Sequence, residues 1–70
     1  GPLFRLEQVE GEPDADIRAR FDGPVLLIPR HGPVHVDGEE IPPGGCALAE
    51  ALSDVAFVPY GICLIAQPCK

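Results

Sequence analysis

The amino-acid sequence predicts an all-β domain, a sandwich or small barrel of about seven to eight short antiparallel strands. Three observations carry this. Nine prolines and eight glycines among 70 residues interrupt the chain every few positions and leave little room for a helix of any length. Between them lie short runs of Val, Leu, Ile and Ala, several alternating with polar residues at the period of a strand. Finally, "VHVDGEEI", residues 34–41, sets Asp37-Gly38 between two alternating runs, the signature of a two-residue type I′ hairpin.

In chain order, residues 3–10, "LFRLEQVE", set Phe4 and Leu6 against Arg5 and Glu7, as in a strand with one wet face. Residues 11–16, "GEPDAD", are loop by composition. "IRARF" alternates again and predicts a strand with Ile17, Ala19 and Phe21 inward and Arg18 and Arg20 in solvent. After the Asp22-Gly23-Pro24 turn, "VLLI" is a continuous apolar run, the pattern of a strand buried on both faces. The hairpin follows, then a Pro42-Pro43-Gly44-Gly45 corner. "CALAEAL" has helical propensity, but its length and flanking turns favour a strand. "DVAFV", a Pro59-Tyr60-Gly61 turn and "ICLIAQ" close the series.

One domain over residues 3–69 is near the lower size limit for unaided folding. Gly1-Pro2, in a chain without methionine, has the look of a protease-cleavage scar, so the domain is expected to begin after it and to be a candidate for excision from a longer protein. Eleven acids against five bases give a net charge of −6, and the single lysine is the last residue. Nucleic acid and anionic membrane surfaces, which need clustered Lys and Arg, are therefore not the expected partners. No apolar stretch approaches the ~20 residues of a membrane span. Three cysteines without a C-x-x-C spacing suit reduced thiols in a cytoplasmic setting. Cys46 and Cys63, among apolar neighbours, are expected to be buried, and a Cys63–Cys69 bridge is the alternative.

The stretch "GPVHVDGEEIPPGGCALAEALSDVAFVPYG" resembles the middle of a cupin barrel: a glycine corner, a V-x-V-D-G-E hairpin and a Pro/Gly turn into the next strand. The wider frame, "FRLEQVEG", "GPVLLIPRHGPVHVDGEEIPPGG" and "ICLIAQP", is similar to the C-terminal jelly-roll domain of type I mannose-6-phosphate isomerases, from Leu3 to Pro68. The resemblance implies a cupin-like jelly roll. It does not imply a metal enzyme. With Gly32 as the closing glycine of the family's first metal motif, the ligand slots fall on Arg18, Arg20 and Val25, and no histidine follows His35 for the second motif. In those isomerases the catalytic zinc belongs to another domain. The function implied is a non-catalytic domain that packs, dimerises as a homodimer, rests against another domain of a longer chain, or holds a small sugar or phosphate ligand.

The alternative is a minimal metal-binding cupin enzyme, isomerase- or oxygenase-like, using His31, His35 and a nearby acid such as Glu40 on a divalent metal like zinc. Gly32-Pro33 between the histidines argues against a helix, and on a strand their separation is ~13 Å, too far for one metal. In the Asp37-Gly38 hairpin His35 faces Glu40 instead, as an ordinary cross-strand pair, with Val34 and Ile41 on the core face. Arg18 and Arg20, in the histidine slots, are the candidates for an anion site. Ser53 stands before Asp54 without a nucleophile-elbow pattern and reads as a turn residue. No cofactor and no catalytic residue is expected.

Overall fold

The computed structural model describes residues 4–68. Seven strands form, most of them where the apolar runs predict: β1 (Phe4–Glu10), β2 (Val25–His31), β3 (Val34–Val36), β4 (Glu39–Ile41), β5 (Ala47–Ala49), β6 (Val55–Phe57) and β7 (Ile62–Pro68). They make two antiparallel sheets, ordered β1-β7-β2-β5 and β4-β3-β6, which do not close into a barrel. After β2 the chain crosses to the small sheet, returns for β5, crosses again for β6 and ends in β7. Every connection after β4 therefore changes sheets, and the two layers share one core.

That core is aliphatic. Val9, Val25, Leu27, Ala49, Cys63 and Ile65 come from the large sheet and Val34, Val36 and Val55 from the small one, with Phe21 and Leu52 contributed by the connections. Leu27 and Ile65 are completely buried. Burial of such a side chain stabilises by about 1.5–3 kcal/mol.

The hairpin forms as its sequence predicts. Asp37 (φ 51°) and Gly38 (φ 84°) both occupy the left-handed region that a type I′ turn requires. Val34 pairs with Ile41, His35 with Glu40 and Val36 with Glu39. A second backbone constraint extends the β1–β7 ladder at one end. The Gly11 N–H donates to the Gly61 carbonyl at 2.8 Å, and a Cβ on Gly11 would stand 2.8 Å from the Pro59 carbonyl oxygen.

Residues 17–21 are not a strand. Ala15–Arg20 form a short helix, α1. The Asp14 side chain caps it by accepting the Ile17 N–H at 2.9 Å, Asp16 sits in the first turn, and Arg18 and Arg20 sit in the last, matching the helix dipole. The alternation Ile-x-Ala-x-Phe is also an i, i+4 pair. Ile17 and Phe21 share one side of a helical turn, and Phe21, just past the last turn, is buried.

Two other expectations change. Phe4 and Leu6 are 70% and 59% exposed, because it is Val9 that β1 buries, and its strand parity turns residues 4 and 6 the other way. Cys46 is exposed for the same reason: Ala49 is the buried residue of β5, and even-numbered positions face outward. Cys63 is a free, buried thiol, while its suggested bridging partner Cys69 lies outside the described residues, as do Gly1–Leu3. "CALAEAL" divides into β5 and the start of a 3₁₀ turn, Leu52–Asp54, which holds Ser53.

Candidate functional site

The hairpin histidine has a local partner. His35 Nε2 lies 3.5 Å from Glu40 Oε1 across β3 and β4, the histidine side chain half-buried and the glutamate exposed. His31 ends β2 in the other sheet, just after a register shift between Pro29 and His31. Thus the structure brings His35 and Glu40 together without His31. Among the described residues, no three His, Cys, Asp or Glu side chains gather into a group that could hold a metal ion.

The two arginines are separately engaged. Arg18 Nη2 lies 3.5 Å from Glu12 Oε1, and Arg20 Nη1 donates to Glu7 Oε1 at 2.9 Å. Arg5 donates to the Arg20 carbonyl and places its guanidinium 5.9 Å from the centre of the Phe21 ring. The arginines thus fasten α1 to its neighbours and are not paired toward a common anion. Cys63 is held as a protonated, buried thiol. Burial pushes its thiol from 9.0 up to about 11, with a hydrogen bond to the Ile28 backbone acting weakly the other way. The interior crevice between the sheets, where His31, Val34, Phe57 and Cys63 meet, has no room for a water molecule.

What the fold does expose is an apolar sheet face. The large sheet has its inner side on the core, and its outer side is set by strand parity. One cross-strand row reads Leu6, Ala66, Leu26, Leu48, and the next reads Gln8, Leu64, Ile28. Phe4 and Pro68 pair in the row beyond Leu6. Phe4, Leu6 and Leu48 are largely exposed, while Leu26, Ile28, Leu64 and Ala66 are partly buried. At one end this face sinks into an open cleft of ≈ 370 Å³ lined by Asp22, Pro24, Leu26, Leu48, Ala66, Gln67 and Pro68. The Gln67 amide donates to the Asp22 and Pro24 carbonyls, at 2.7 and 3.1 Å, and so fixes the loop that forms its rim.

Sequence reasoning missed Phe4, Leu6 and Leu48 as surface residues, yet a signal was present. "VLLI" and "ICLIA" do not alternate, so both faces of β2 and β7 are apolar. Only one of those faces is covered.

Fold and face together define a small two-sheet β domain whose large sheet leaves one apolar side open among the described residues. No protein-family model, no curated protein and no solved structure matches the chain. No helix among the described residues is long and apolar enough to cross a membrane.

Proposed function

We propose that this chain is a non-catalytic interaction domain of cupin-like descent, which acts by packing the outer face of its large sheet against another protein surface. The observation that carries this is the row Leu6, Ala66, Leu26, Leu48, with Leu6 and Leu48 more than half exposed. Soluble domains seldom leave contiguous apolar area open unless something covers it. The V-x-V-D-G-E hairpin, the Pro-Pro-Gly-Gly corner and the two facing sheets support the cupin-like descent. A reducing, cytoplasmic setting is the one in which free Cys46 and Cys63 would persist.

Metal analysis and two variants test the reading. Protein purified without chelator or metal resin is expected to be folded and free of Zn, Fe, Ni, Mn and Cu, and His31→Ala with His35→Ala should leave its melting temperature unchanged. A near-stoichiometric metal lost on His35→Ala would replace this proposal with the metal-binding alternative.

A further inference from the structure

We infer that the surface covering this face is a second copy of the same chain, stacked sheet on sheet about a two-fold axis running along the strands. The inference rests on the interaction-domain reading and names its partner.

The register makes the face self-complementary. A two-fold axis parallel to the strands and lying between the sheets reverses strand order while preserving position along the strand. β1 of one copy then lies over β5 of the other, and β7 lies over β2. In the central row, Leu6 meets the second copy's Leu48 and Ala66 meets its Leu26, so small faces large and both edges pair leucines. Each such contact occurs twice. Sheets stacked this way keep their strands within about 30° of one another at about 10 Å separation, which these side chains span.

The same operation sets the two clefts against each other, since Leu26 and Ala66 line each cleft and meet across the axis, and leaves Phe4, one row further along, at their edge. Phe4 is 70% exposed, and the cleft walls of Pro24, Leu26, Leu48, Ala66 and Pro68 are apolar. An exposed aromatic beside two facing apolar clefts adds apolar area to the contact and is its aromatic anchor.

Size and charge set how tight the contact is. Four strands about 4.8 Å apart and up to seven residues long present roughly 400 Å² in projection, below the ~600 Å² per partner at which standard interfaces begin, so the dimer is a weak, concentration-dependent one. The chain carries −6, so two copies repel in general. The rows through Leu6 and Leu64 carry no charged residue, and stacking there keeps the acidic surfaces apart.

Sedimentation equilibrium on wild type, Leu48→Asp and Phe4→Asp tests this, with far-UV circular dichroism as the fold control and anilinonaphthalene sulfonate as an apolar-surface dye. The expected result is a species of twice 7.4 kDa that excludes the dye. Either substitution should weaken it at least ~30-fold with the spectrum retained, as for loss of an interface anchor. A dimer indifferent to both substitutions but lost on Gln8→Pro, which disrupts the free edge of β1, would overturn the stacking in favour of edge pairing. A monomer that binds dye, and stops doing so on Leu48→Asp, would overturn the second copy while leaving an interaction face for another protein. A monomer that binds no dye would overturn both.

Discussion

The two sheets differ most on the sides that face away from the core. The small sheet turns His35, Glu40 and Ala56 outward, a wet surface with a cross-strand pair. The large sheet turns Leu6, Leu26, Leu48, Leu64 and Ala66 outward, with hardly a polar group among them. The inner sides are alike. A sheet that needs only one covered side alternates, as β3 does, whereas a sheet built from unbroken apolar runs asks for cover on both. The difference therefore locates the surface at which this domain meets something else.

That comparison can be broken first at the inner side. Leu27→Ala or Ile65→Ala should cost about 2–5 kcal/mol of unfolding free energy in a denaturant titration, because each removes a fully buried side chain from a shared core. Leu48→Ala, measured at a concentration where the chain is monomeric, should change stability by no more than about 0.5 kcal/mol. Equal losses at Leu27 and Leu48 would erase the distinction between the faces.

The cysteines sharpen the same contrast. Unfolded, the Cys63 thiol ionises from about pH 9; folded, it keeps its proton until about 11. Unfolding then releases a proton in that window, so stability is constant below it with respect to this group and falls as pH climbs from about 9 to 11. Comparison of wild type with Cys63→Ala in alkaline denaturant titrations should isolate the fall. At neutral pH a thiol reagent should modify Cys46 quickly and Cys63 only as fast as the protein opens.

Smaller effects are expected at the periphery. Asp14→Ala should cost about 1 kcal/mol through loss of the cap on α1, read by thermal melting. His35→Ala or Glu40→Gln should shift stability by about 0.5 kcal/mol or less, since the glutamate is exposed and the histidine only half-buried. A large effect at His35 would mean that the hairpin's outer side does more than meet water.

Much of this architecture is legible before any coordinates, and the failures have physical causes. The hairpin is readable because Asp-Gly at one position dictates backbone angles, and those angles dictate the pairing of His35 with Glu40. Residues 17–21 are ambiguous because five residues fit both periods, so a side-chain cap at Asp14 decides. Phe4, Leu6 and Cys46 were expected on the wrong side for a different reason. Alternation reveals that two faces exist, while which one is inner depends on pairing with β7 and β2, which lie far away in sequence. The candidate face is a product of that pairing. It is spread over four strands, and no local motif carries it.

One consequence follows from the place of β7. It lies between β1 and β2, pairing Phe4 with Pro68 on one side and Leu26 with Ala66 on the other. Without β7, β1 has no hydrogen-bonded neighbour among the described residues and the large sheet is in two pieces. The large sheet can therefore assemble only once β7 is in place, with "VLLI" unprotected until then. Folding is in this sense limited by closing the longest loop in the topology. A chain truncated before Ile62 would be a client for chaperones and would not persist as a smaller domain.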